Sequence, residues 1–174
     1  MNNIIYSISI KPGKFGYTIY NYIFKELSLD YVYKPVKIQN KDLLLNILNL
    51  LINTEMIKGL SISMPYKQFT YEYLKKNKKF KNLSKGWEAL NTLKKINENE
   101  IIGKLTDTFI LEEFYKKLLK KNNQISKVFI IGNGAMSKLS YKYLIDLNYE
   151  INFIERNALI DIVHKINKLN NVAL

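Results

Sequence analysis

Three stretches of the 174-residue chain combine residue types and spacings that can do chemistry. In the first, Val128-Phe129-Ile130-Ile131 runs into Gly132-Asn133-Gly134-Ala135-Met136-Ser137. An apolar run followed by Gly-x-Gly-x-x-Ser reads as a strand, a tight turn and a helix start. In a dinucleotide-binding turn the first glycine makes the bend, and the second lets a pyrophosphate approach the backbone. A small third residue lets helix and strand pack, and Ser137 is small. The free N–H groups and positive dipole end of the helix suit a phosphate. The bland alternative is an ordinary strand-to-helix turn with two glycines. The next strand ends at Glu155-Arg156-Asn157. An acidic residue there would take a ribose 2′-hydroxyl and favour NAD, whereas an arginine would pair with a 2′-phosphate and favour NADP. Both stand side by side, so the residues leave the choice open.

The second stretch, Leu60-Ser61-Ile62-Ser63-Met64-Pro65-Tyr66-Lys67, leads from a strand into a helix. Met64 precedes proline and should be extended. Pro65 suits a first helical turn. Lys67 then falls near a helix N-terminus, where the dipole disfavours a cation unless a carboxylate or a function holds it. It also lies at the carboxyl end of a strand, where open α/β sheets place ligands. An exposed lysine in a lysine-rich chain is the alternative. The third stretch, Gly103-Lys104-Leu105-Thr106-Asp107-Thr108, precedes a long helix and reads equally as its cap. Asn91, in the apolar context Glu88-Ala89-Leu90-Asn91-Thr92-Leu93, is a candidate polar ligand or a residue that satisfies backbone groups. The lone histidine, His164, has no clustered carboxylates and is read as non-catalytic; no metal site is expected.

Alternating strand and helix patterns position these residues. Strands are expected at Asn3–Ile10, Tyr31–Ile38 and Lys58–Ser63, with helices at Thr18–Leu27, Lys41–Asn53 and from Pro65 to about Lys76. Short strands at Ala89–Ile96 and Ile101–Gly103 flank the turn Asn97-Glu98-Asn99. A helix at Phe109–Lys121, strand Lys127–Ile131, helix Ala135–Leu147, strand Glu150–Ile154 and helix Leu159–Leu169 complete the chain. This order predicts an α/β protein with a mostly parallel sheet. The expected division is a substrate-binding and catalytic domain over 1–107, then the first part of a Rossmann-like domain over 108–174.

Composition narrows the class. With 47% hydrophobic residues the chain can build a packed core. It has no cysteine, which excludes disulfides and thiolate metal sites. The N-terminus does not read as a signal peptide. The longest apolar run, Leu43 to Ile52, is broken by Asn46 and Asn49 and is too short to span a bilayer. A cytoplasmic protein without a membrane partner is expected. The net charge of +12 is spread along a Lys-, Asn- and Ile-rich sequence. It reads as a solvated basic surface rather than a nucleic-acid interface.

Together the segments resemble the shikimate dehydrogenase family. Ser61 to Lys67 resembles the family's strand followed by Pro-His-Lys. Ala89-Leu90-Asn91-Thr92 resembles its Ala-Val-Asn-Thr, and Gly103 to Asp107 its Gly-Tyr-Asn-Thr-Asp. The glycine turn and Glu155-Arg156-Asn157 follow in the family's order. The resemblance implies NAD(P)H-dependent reduction of 3-dehydroshikimate or a related cyclic keto acid, in aromatic amino acid biosynthesis. It implies Lys67 and Asp107 as the catalytic pair, and Ser63 and Asn91 as substrate contacts. Gly132, Asn133, Gly134 and Ala135 would hold the pyrophosphate, and Arg156 the adenosine phosphate of NADP, with NAD as the alternative.

The chain departs from the family at two places. The Ser-x-Ser-Pro segment that binds the substrate carboxylate is replaced by Lys11-Pro12-Gly13-Lys14-Phe15-Gly16-Tyr17-Thr18, which resembles a divergent branch. Tyr17, Thr18 or Lys14 would have to replace the lost contacts. Leu105 stands where the family has asparagine. The sequence stops soon after the second strand of the dinucleotide half, so a C-terminally truncated member, inactive as 174 residues alone, is expected. The alternative is a non-catalytic remnant that binds an anionic metabolite or a partner chain, including another copy of itself.

Overall fold

The computed structural model describes residues 3–84, 86–121, 127–132, 134–155 and 158. The chain divides into two compact units, Met1–Thr106 and Asp107–Leu174. The first unit is built from strands β1 (Asn3–Ser9), β2 (Tyr31–Lys37), β3 (Ile57–Ile62), β4 (Phe80–Asn82), β5 (Thr92–Asn97) and β6 (Glu100–Lys104). Its helices are α1 (Lys14–Glu26), α2 (Lys41–Asn53) and α3 (Tyr66–Leu74). The sheet order is β2-β1-β3-β5-β6-β4. β1 runs parallel to β2 and β3, and β4 parallel to β6, while β5 is antiparallel to both of its neighbours. The sheet is therefore mainly parallel, with the β5–β6 hairpin inserted.

One face of the sheet carries the core. Ile8, Leu60, Ile62, Leu93 and Ile101 pack there against Leu44, Ile47, Leu48 and Leu51 of α2 and Tyr66 and Leu74 of α3. These α2 positions recur at helical spacing, and the strand positions alternate with exposed or half-exposed ones. Asn40 caps α2, its side chain accepting from the Leu43 N–H at 2.9 Å. Gly103 lets the core close over β6. A Cβ there would come within 2.6 Å of the Phe80 ring and 3.0 Å of both Leu90 and Leu93.

α1 lies on the opposite face beside β2. The Asn21 side chain donates to the Tyr33 carbonyl and accepts from the Tyr33 N–H, at 2.9 and 2.8 Å. The Tyr20 and Tyr33 rings meet at a 32° tilt with centroids 4.7 Å apart. The helix begins at Lys14, four residues before the expected Thr18, with Gly13 as its extended N-cap. Gly16 obscured that start, since glycine is a poor helix former. Its place is set by packing: a Cβ would sit 3.3 Å from the Tyr33 ring. Two further boundaries differ from expectation. β5 starts at Thr92 rather than Ala89, because Leu90 and Asn91 spend their backbone groups on Lys67, Lys104 and Ile62. β4 has only three residues inside a lysine run and carries no periodic signal.

The second unit contains α4 (Asp107–Lys121), β7 (Lys127–Ile131), α5 (Ala135–Ile145) and β8 (Glu150–Ile154). β7 and β8 pair in parallel across the α5 crossover, from Lys127↔Glu150 to Ile131↔Ile154. This is the βαβ unit of a Rossmann-type fold. Ile130, Leu139 and Leu144 are buried in it. Tyr115 of α4 stacks on Tyr143 of α5 at 5.7 Å. The expected helix Leu159–Leu169, with His164, lies outside the described residues. Among the described residues, no helix is long and apolar enough to cross a membrane.

Candidate active site

The chain leaves β1 toward α1 on one face of the sheet and leaves β3 toward α3 on the other. Between two such strands a crevice opens at their carboxyl ends, the usual ligand position in open α/β sheets. Ser63 sits there. Its N–H donates to the Ile8 carbonyl at 2.9 Å, extending the β1–β3 pairing, and its carbonyl accepts from Tyr66 N–H at 3.1 Å. The Ser63 residue itself is exposed.

α3 starts at Tyr66, with Pro65 as its N-cap rather than in its first turn. Tyr66 is buried, and its hydroxyl donates to the Ile38 carbonyl at 3.0 Å. The Ile38 N–H in turn donates to the Ser9 carbonyl at 2.9 Å. Tyr66 thus anchors the helix start beneath the crevice and sets where Lys67 emerges. Lys67 is half-buried, and its carbonyl accepts from Leu90 N–H at 3.0 Å. That bond brings the segment containing Asn91 alongside the first turn of α3.

Asn91 is the hub of this corner. Its carbonyl accepts from Ile62 N–H at 2.8 Å, and its N–H donates to the Lys104 carbonyl at 3.2 Å. Its side-chain oxygen accepts from Thr106 N–H at 2.8 Å, from the Thr106 hydroxyl at 3.0 Å and from the Thr92 hydroxyl at 3.1 Å. Ser84 supports the same strand end, its hydroxyl accepting from Leu105 N–H at 2.6 Å. The structure therefore brings Ser63, Lys67 and Asn91 to one end of the sheet. Tyr66 and Ser84 were not singled out from the sequence, and Thr106 only as a candidate cap of the following helix. The only hint of Tyr66 was a bulky residue beside the helix-opening proline.

Tyr17 and Thr18 lie within α1 and are exposed. The Thr18 hydroxyl donates to the Lys14 carbonyl one turn earlier, at 3.1 Å, and so is engaged by its own helix. Asp107 opens α4, where a carboxylate meets the positive end of the helix dipole. It is the first residue of the second unit.

In the second unit Gly132 has φ 87°, the left-handed region that favours glycine, and its N–H donates to the Ile154 carbonyl at 2.7 Å. Gly134 is the N-cap of α5, and a Cβ built on it meets no atom within 4 Å. Among the described residues, nothing beyond the chain neighbours of Gly134 fills that position. Ala135 is the first residue of α5, and Ser137 is half-buried in that first turn. Asn133, Arg156 and Asn157 lie outside the described residues. A bent glycine, an open approach at the second glycine and a helix N-terminus fit a pyrophosphate. Among the described residues, no cluster of His, Asp and Glu could hold a metal ion.

Residues 4–93 match the family described as the shikimate dehydrogenase substrate binding domain. The chain is 28% identical over 134 residues to a shikimate dehydrogenase-like protein of Haemophilus influenzae, covering 76% of this chain and 45% of the relative. It is 29% identical over 133 residues to shikimate dehydrogenase (NADP(+)) of Clostridium beijerinckii, covering 74% of this chain and 45% of that relative. The chain thus spans about half the length of the curated relatives it matches. Among solved structures, a shikimate 5-dehydrogenase-like protein superposes with a TM-score of 0.69 at 22% identity, over 97% of this chain and 58% of the other, which shows the shared fold. With its substrate binding domain matched over half of its length, the chain belongs to the shikimate dehydrogenase family.

Proposed function

We propose that the first unit binds a shikimate-like cyclic hydroxy acid at the carboxyl ends of β1 and β3, and that the protein serves the interconversion of 3-dehydroshikimate and shikimate, or of a close relative. The observation that carries this reading is the convergence of Ser63, Lys67 and Asn91 through the backbone bonds of Ile62, Ser63 and Leu90. In this reading Ser63 and Asn91 contact the substrate's hydroxyl or carboxylate groups. Tyr17 and Thr18 are the proposed carboxylate contacts from α1. NADP, with NAD as the alternative, supplies or accepts the hydride when bound.

Carbonyl reduction places negative charge on the substrate oxygen, which needs a proton. Lys67 provides a positive charge and a proton at that oxygen, and Asp107 is its proposed carboxylate partner. Gly132, Asn133, Gly134 and Ala135 are the proposed pyrophosphate cradle, and Arg156 the adenosine phosphate contact. The open space over Gly134 supports the first of these assignments.

Calorimetric titration with shikimate and with NADPH tests the reading. Shikimate binding is expected to weaken in Ser63→Ala and Lys67→Ala. NADPH binding is expected to weaken in Gly134→Val, whose side chain would occupy the open approach. Undiminished shikimate affinity in both substrate-site variants would overturn the proposal.

A further inference from the structure

A hollow opens between α3 and the chain that follows β4. It encloses about 410 Å³ and is lined by Tyr71, Asn82, Gly86, Trp87 and Glu88. That volume is within the usual range for small-molecule sites, roughly 300–1,000 Å³. Hydrogen bonds fix its wall. The Asn82 amide nitrogen donates to the Ser84 and Trp87 carbonyls, both at 3.3 Å, and its oxygen accepts from Ser84 N–H at 2.9 Å. The Trp87 N–H donates to the Ser84 carbonyl at 3.1 Å. Gly86 makes the bend, with φ 77°, in the left-handed region that favours glycine. Two half-buried rings, Tyr71 and Trp87, and the exposed Glu88 thus share one small space.

The lining decides the sign of the ligand. Asn82 spends its amide on the loop itself. Glu88 joins no ion pair among the described residues. The Lys75 ammonium pairs with Glu72 and lies 5.6 Å from the centre of the Tyr71 ring, so that ring already receives a cation. Lys75 is held above the usual lysine range, first by its hydrogen bond to Glu72 and also by the charge of Glu88. The uncommitted charge of the hollow is therefore negative, in a chain of net charge +12. Aromatic faces beside a carboxylate attract a cation. A primary ammonium brings three N–H donors to satisfy, whereas a quaternary ammonium brings none. Two rings and a single carboxylate suit the second.

We propose that this hollow binds a quaternary ammonium group against Tyr71 and Trp87, with Glu88 as its counter-ion. The inference does not rest on the shikimate reading. None of Ser63, Lys67 and Asn91 lines the hollow. The two places share their supports, since Tyr71 follows Lys67 by one turn of α3 and Glu88 precedes Leu90, whose N–H donates to the Lys67 carbonyl.

The chain has a single tryptophan, so its fluorescence reports on this hollow. The test is a titration of that signal with choline, with neohexyl alcohol as the uncharged isostere. The expected result is saturable choline binding, at least fivefold weaker for neohexyl alcohol, for ethanolamine and for Glu88→Gln. Lys75→Gln should tighten choline binding, because it removes a competing cation. Glu88→Gln should leave shikimate binding unchanged, and shikimate should not displace choline. A peptide bearing trimethyllysine separates the two sources of such a group. Affinity no better than choline's assigns the site to a free metabolite, and affinity at least tenfold better assigns it to a partner protein's side chain. Equal affinity for choline and neohexyl alcohol, weaker choline binding in Lys75→Gln, one-for-one displacement by shikimate, or no saturation would each overturn the proposal.

Discussion

The side-chain oxygen of Asn91 holds Thr106 by both its N–H, at 2.8 Å, and its hydroxyl, at 3.0 Å. This pair ties the start of β5 to the residue that ends the first unit. Asn91→Ala should leave both donors without their acceptor and destabilise the unit by about 1–3 kcal/mol. Urea denaturation should show the loss as a lower midpoint at unchanged slope. Asn91→Asp keeps an acceptor and should lose less. A stability equal to wild type in Asn91→Ala would show that the pair contributes nothing to the fold.

Tyr66 governs the position of Lys67 from below. Tyr66→Phe removes the donor to the Ile38 carbonyl while preserving the ring in the core. A buried acceptor left unpaired costs about 1–3 kcal/mol. The same variant should weaken shikimate binding, although Tyr66 is given no contact with the ligand. Loss of stability with unchanged shikimate affinity would separate the anchor from the site.

Gly103→Ala should destabilise the first unit by about 1–3 kcal/mol through overpacking, because the new methyl meets the Phe80 ring at 2.6 Å. Adding Phe80→Leu should recover part of the loss. Thermal denaturation of the single and double variants measures both effects.

The Glu55 carboxyl is held below the usual carboxylate range, first by its hydrogen bond to Lys58 and then by Lys95. A pKa depressed in the folded state stabilises the fold above the unfolded value and ceases to do so as pH falls through the folded value. Glu55→Gln should therefore be less stable than wild type near neutral pH, and the two should converge in acid as pH falls through the lowered folded-state value. Glu55 is exposed, so the gap should be small and should shrink in high salt.

Long periodic elements were legible in the sequence. α2, β7 and β8 occupy the residues that their apolar spacing predicts. The first turn of α1 was not, because Gly13 and Gly16 look like loop until Tyr33 is placed against Gly16. β4 was invisible because its three residues become a strand only by pairing with β6. At the candidate site, residue types and order pointed to Ser63, Lys67 and Asn91. Their convergence depends on Leu90 and Ile62 backbone bonds that have no sequence signature. Thr106 and Tyr66 support the site through contacts 15 and 28 residues distant, which local pattern does not reveal.

One corner of the sheet is proposed to recognise a shikimate-like acid through Lys67 and its neighbours. Residue-resolved NMR titration of the labelled chain with shikimate tests it most directly. Saturable shifts are expected at Ser63, Lys67, Asn91 and Thr106, with an affinity at least tenfold weaker in Lys67→Ala and retained folding of that variant. Saturable binding mapped elsewhere, or full affinity in Lys67→Ala, would contradict it.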